Sequence, residues 1–195
     1  AGPADTVYPG ANDNAAAIGV MLEMLRAWQE ANYHPNRTFL FVAYAGNGYE
    51  TGQNPELPLD IERFLTAKQG FSSAFQIEAV VFLQGLGDGE AKVMEMGSGG
   101  NLRLLNLFDD AASQVGLKTS RTREGIELSG VVTRQQNVMP GDSDAAPNIT
   151  ISFKGWARNS GLPSDDLSQI KPDWMESIGE ALSTALMTIG QETIY

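Results

Sequence analysis

Apolar positions along this chain switch repeatedly between a helical spacing and short continuous runs. Over residues 14–32, Ile18, Leu22 and Leu25 recur on one face, with Met21 and Trp28 beside it, which predicts an amphipathic helix. Asn12, Asp13 and Asn14 stand ahead of it as capping side chains, and Tyr33-His34-Pro35-Asn36 breaks it. Residues 37–45 (RTFLFVAYA) are almost uninterruptedly apolar, as expected of a strand buried on both faces. A Gly- and Asn-rich loop over 46–58 and a short helix over 59–69 follow. Residues 77–83 (IEAVVFL) predict a second buried strand, and 91–96 a third.

A further helix is predicted over 101–115, where Leu102, Leu105, Phe108 and Ala112 are in phase. Residues 117–139 are polar and leave short strands or a loop open. Residues 148–153 (NITISF) read as a strand. The last helix runs over 172–189, with Met175, Ile178, Leu182, Leu186 and Ile189 aligned and Pro172 at its first turn. Helices alternating with apolar strands predict a three-layer α/β/α sandwich around a mixed, mostly parallel sheet. In such folds sites gather at the carboxyl ends of strands, here the loops after Ala45, Leu83 and Met139.

Composition narrows the partners more than the fold. The 195 residues suit a single domain over 1–195. The 24 acidic against 13 basic residues disfavour nucleic-acid phosphates and anionic membranes. The chain has no Cys, which excludes disulfides and thiolate metal sites. No run reaches the roughly 18 apolar residues of a membrane span, so no direct membrane insertion by this segment is expected. The opening Ala1-Gly2-Pro3-Ala4-Asp5 stands abruptly close to the first motif, and the chain is read as an excised piece of a longer protein.

Five segments carry the candidate chemistry. They are Gly10-Ala11-Asn12-Asp13-Asn14 with a small-residue helix behind it, the strand Arg37-Thr38-Phe39-Leu40-Phe41-Val42-Ala43-Tyr44, and Val80-Val81-Phe82-Leu83-Gln84-Gly85-Leu86-Gly87. The others are Gly141-Asp142-Ser143-Asp144-Ala145-Ala146-Pro147 and Leu162-Pro163-Ser164-Asp165-Asp166-Leu167-Ser168-Gln169-Ile170. In this order they resemble the co-catalytic zinc aminopeptidase family, a superfamily of bacterial leucyl aminopeptidases, glutaminyl cyclases and nicastrin-like non-catalytic relatives. The resemblance implies a zinc-exopeptidase-like fold.

The same resemblance implies that Asp13 is the bridging metal carboxylate, although a plain helix cap would use the same residues. The family's Glu-Glu pair supplies a general base and a zinc ligand. An ungapped alignment puts Asn47 and Gly48 there; a two-residue insertion puts Tyr49 and Glu50 there. Neither Asn47 nor Tyr49 is a base near neutral pH, since a phenol titrates near about 10. Gln84 stands where the family has an Asp ligand, and Asp88 reads as a turn residue between two glycines. Ser143 and Asp144 stand where supporting groups are expected, with Ala145 at the position of a His. Asp165 belongs to the tail in which the family's last His ligand stands, yet no His occurs over 156–166.

The single His, His34, follows the first helix, at the end away from Asp13, and is read as a surface or C-cap residue. The resemblance thus implies Asp13 and Glu50 as vestigial metal ligands, with Asn12, Gln84, Ser143, Asp144 and Asp165 lining the pocket; Glu50 reads equally as a solvated loop carboxylate, and Ser143 and Asp144 as helix caps. The expectation is a degenerate, non-catalytic member with no cofactor, an extracellular or extracytoplasmic binding or scaffold domain with a peptide or protein partner. An active metallo-aminopeptidase, with zinc held by ligands from outside the segment, is the alternative. A hydrolase using Ser143 with Asp144 is disfavoured, because a serine nucleophile needs a base within reach.

Overall fold

A computed structural model describes residues 6–43, 77–98, 101–123 and 147–192. Helix α1 (Ala16–Glu30) is followed by strands β1 (Val80–Leu83) and β2 (Val93–Ser98), helix α2 (Leu102–Gln114), strands β3 (Lys118–Arg123) and β4 (Asn148–Phe153), and helix α3 (Pro172–Gln191). The four strands lie in the order β1-β4-β2-β3. β1 is parallel to β4, β2 is parallel to β3, and the two pairs meet antiparallel between β4 and β2. The sheet is thus mixed and mostly parallel, flanked by helices, as the alternation predicts.

Period-2 burial fixes which face of the sheet packs on the helices. Ile149, Ile151 and Phe153 of β4 and Met94 and Met96 of β2 are fully buried. They share one core with Leu104 and Phe108 of α2 and Ile178 and Leu182 of α3. Phe153 and Trp174 meet with ring centroids 5.1 Å apart. Helix α2 begins where its sequence indicates, because the Asn101 side chain accepts a hydrogen bond from Leu104 N at 2.9 Å. Helix α3 has Pro in its first turn and buries Ile178, Leu182, Leu186 and Ile189, four of the five residues expected on its inner face. In α2, Leu105, Phe108 and Ala112 are buried as expected, but Leu102 at the first position is 66% exposed. The polar stretch after Leu117 resolves in part into β3.

Two expectations about apolar faces are corrected. Helix α1 does not bury Ile18, Leu22 and Leu25, which are 37%, 62% and 37% exposed. Its inner stripe is Ala16, Val20, Met24 and Trp28, with Ala17 beside it. Both stripes obey helical spacing. The one chosen allows the closer approach to α3, where Gly179 meets the Val20 side chain, and it lets Trp28 donate its indole N–H to Ser183 at 2.7 Å. Residues 38–43 are not a strand buried on both faces: no strand pairing is assigned there among the described residues. Phe39 and Phe41 turn inward against Trp28, at 5.2 and 5.9 Å, whereas Leu40 is 51% exposed. His34 is an exposed surface residue, as expected, while the C-cap itself is Ala31. The helix expected over 59–69 lies outside the described residues.

Candidate functional site

β1 and β4 are parallel, so the loops that leave them emerge together at the carboxyl ends of the strands, along one rim or edge of the sheet. The turn before α1 joins them there. Gly10 has φ 64, and a wide turn over Ala11–Ala15 follows, in which Ala15 N reaches back to Gly10 O at 3.1 Å. The peptide between Asp13 and Asn14 is cis.

Asp165 holds this turn. Its carboxylate accepts from Asn12 N at 2.7 Å and from Asp13 N at 3.0 Å, one oxygen for each. Its main-chain oxygen accepts from Ala11 N at 3.1 Å. Asp165 is 1% exposed, so two aligned N–H donors replace the water its charge would otherwise need.

Asn12 is not a cap. It is 3% exposed, and its carboxamide ties three segments together. Oδ1 accepts from Gly87 N at 2.8 Å and Asp88 N at 3.0 Å. Nδ2 donates to Asp88 O at 3.3 Å and Trp156 O at 3.2 Å. The four contacts use the amide's full donor and acceptor capacity. Asn14 makes a second bridge, donating to Leu83 O at 2.8 Å and accepting from Gly85 N at 3.3 Å. These contacts need the glycines that follow β1. Gly85 has φ 56, and a Cβ there would run into the Trp156 side chain; one at Gly87 would meet Ile170 and Ala16.

Asp88 corrects a second expectation. It is not a solvated turn residue but is 1% exposed. Arg158 Nη2 contacts Oδ2, and Lys171 Nζ lies 2.6 Å from Oδ1. Burial pushes the Asp88 carboxyl up, but the Lys171 and Arg158 contacts outweigh it and hold the group below the usual carboxylate range. Lys171 also sits 3.8 Å over the ring of Trp174.

Of the residues the sequence singled out, Asn12, Asp13, Gln84 and Asp165 come together at this edge. Asp13 is exposed, and its carboxylate accepts from the Ser160 hydroxyl. Gln84 is half-buried and continues the β1–β4 ladder through its N–H to Ile151 O at 3.0 Å. Asn47, Tyr49, Glu50, Ser143 and Asp144 lie outside the described residues. Sequence reasoning passed over Ser160, Arg158 and Lys171. The only available signal was three basic or hydroxylic residues flanking the Asp165 segment.

A pair of zinc ions does not fit the described donor set. Asp165 spends both oxygens on N–H groups, Asp88 is neutralised by two cations, and Asn12 has no free lone pair to offer. Among the described residues no three His, Cys, Asp or Glu side chains gather as a metal site. The only imidazole stands beyond the far end of α1, a 15-residue helix about 22 Å long.

Similarity to known proteins agrees with the fold. BSAP, a zinc aminopeptidase from Bacillus subtilis, superposes with a TM-score of 0.65 over 98% of this chain at 17% identity. The match spans 45% of the BSAP chain, so this chain covers less than half of that enzyme. The γ-secretase component nicastrin matches over 67% of this chain and 24% of its own, at 15% identity and a TM-score of 0.45. No curated protein matches. The model of peptidase family M28 matches residues 3–186, nearly the whole chain, and the chain belongs to that family.

Proposed function

We propose that this domain is a zinc-aminopeptidase-like module that has lost its metal site and peptidase activity and binds a peptide or protein partner, or serves as a scaffold for one. The observation that carries this reading is the commitment of the acidic groups at the strand edge. Asp165 serves the backbone of the Asp13 turn, and Asp88 serves Arg158 and Lys171. A catalytic zinc needs several imidazole or carboxylate ligands, an open position for water and a base. Gln84 offers a neutral amide where the family has an Asp, and no His stands over 156–166. The edge is thus built as a rigid polar surface held by internal bonds, which suits recognition.

The 24 acidic against 13 basic residues suit an extracellular or extracytoplasmic face of a larger protein. No helix among the described residues is long and apolar enough to cross a membrane. The second reading is an active metal-dependent aminopeptidase with ligands from elsewhere in the parent protein. Family membership and the exposed Asp13 favour it. Purified protein separates the two readings. The first expects less than stoichiometric zinc after equilibration with the metal, and no hydrolysis of aminoacyl chromogenic substrates. Hydrolysis abolished by a chelator would establish the second.

A further inference from the structure

Two cations converge on one carboxylate at the strand edge of a strongly acidic chain, whose formal charge is −11. Arg158 and Lys171 occupy the two oxygens of Asp88, with side chains 39% and 38% exposed. Asp88 itself is buried, so it neutralises one positive charge from below and leaves the cations facing solvent. Among the described residues the Arg158 guanidinium is committed through Nη2 alone, and its other N–H groups remain available.

Four of the neighbouring acids are already engaged, while Glu90 packs beside Gly155. Asp173 lies 3.6 Å from Lys92, Asp165 holds the Asn12 and Asp13 N–H groups, Asp13 accepts from Ser160, and Asp166 accepts from Ser168 N at 2.8 Å. Trp174 supports the Lys171 ammonium from one side.

We infer that Arg158 and Lys171, held by buried Asp88, form a subsite for the carboxylate of a bound peptide. Two prepositioned charge-assisted donors suit a carboxylate, and the fixed counter-ion beneath them removes much of the ordering cost that mobile surface cations would incur on binding. Arg158 is two residues from Ser160, which touches Asp13, and the Asp88 backbone is bonded to Asn12. A peptide anchored here would therefore run along the Asn12–Asp13 turn. The inference rests on reading that edge as a peptide-binding surface.

Isotope-labelled protein tests it through the indole N–H signal of Trp174, assigned with a W174F variant. The probes are N-acetyl-trialanine with a free carboxylate, the same peptide as its C-terminal amide, and N-acetyl-Ala-Glu-Ala amide. A saturable shift with a carboxylate-bearing probe, absent with the trialanine amide and weakened by added NaCl, is the expected result. Response to the free acid alone assigns the subsite to a chain terminus; response to the Glu peptide assigns it to an acidic side chain. R158Q should weaken that binding about tenfold. Should R158Q lose its dispersed spectrum, the acid-against-amide comparison on unaltered protein decides alone. An equal response to the amide, or no saturable shift with any probe, overturns the inference and leaves an ion triad with a structural role only. Zinc content and hydrolysis test the parent reading separately, so the two can fail independently.

Discussion

Asp165 and Asp88 are both buried carboxylates at the same edge of the sheet, yet they are partnered in different ways. Asp165 is met by two main-chain N–H groups from a turn, so its partners are fixed by local backbone geometry. Asp88 is met by two long, partly exposed side chains that come from residues 158 and 171. The first arrangement resists any change of side-chain chemistry, because each oxygen faces a donor. The second tolerates adjustment, because its cations can return to water. A carboxylate that organises the backbone is therefore harder to replace than one that neutralises charge, even where both are equally buried.

The largest effect expected on this contrast comes from Asn12, which serves the backbone as Asp165 does. Asn12→Ala strands the Gly87 and Asp88 N–H groups and the Asp88 and Trp156 carbonyls, and should cost about 3 kcal/mol in chemical denaturation. Asp165→Asn follows, at about 2–3 kcal/mol. The amide keeps one acceptor but turns an NH2 toward one of the two N–H groups, so this near-isostere should destabilise nearly as much as Asp165→Ala. If Asn is tolerated at 165, the contrast between the two carboxylates collapses.

Asp88→Asn should cost less, about 1–2 kcal/mol near neutral pH, because its partners are more than a third exposed and can be rehydrated. The sign of its pH dependence is fixed. The folded pKa lies below the unfolded one, so the stabilisation is complete above the ordinary carboxylate range and fades as pH falls through the lowered value. Acid titration of stability should therefore be shallower in Asp88→Asn than in the unaltered protein. The smallest effect is expected on the outer face of α1. Leu22→Ser should change stability by no more than about 0.5 kcal/mol, since Leu22 is 62% exposed, and thermal melting would detect a larger change.

These differences explain how far the sequence could be read. The strand over 148–153 and the helices over 101–115 and 172–189 were legible because a single apolar stripe dominates each. Helix α1 was legible as a helix but not in its facing. It carries two helical stripes, and side-chain size favoured the wrong one over the stripe that fits α3. Asn12, Asp13 and Asp165 were singled out by the family resemblance, and the fold brings the three together.

Asp88 was not legible, because an Asp between two glycines reads as a turn, and burial depended on cations 70 and 83 positions away. The capping role assigned to Asn12 failed for a related reason. Its four partners lie in the 87–88 and 156 segments, which no local pattern joins to the first helix.

On the proposed reading these acidic groups hold the protein together instead of holding metal. Zinc-to-protein stoichiometry, measured by elemental analysis after equilibration at neutral pH and removal of free ion, tests it most directly. Well under one ion per chain and a melting temperature unmoved by chelator are expected. Two tightly retained zinc ions per chain, with stability that drops on chelation, would contradict it.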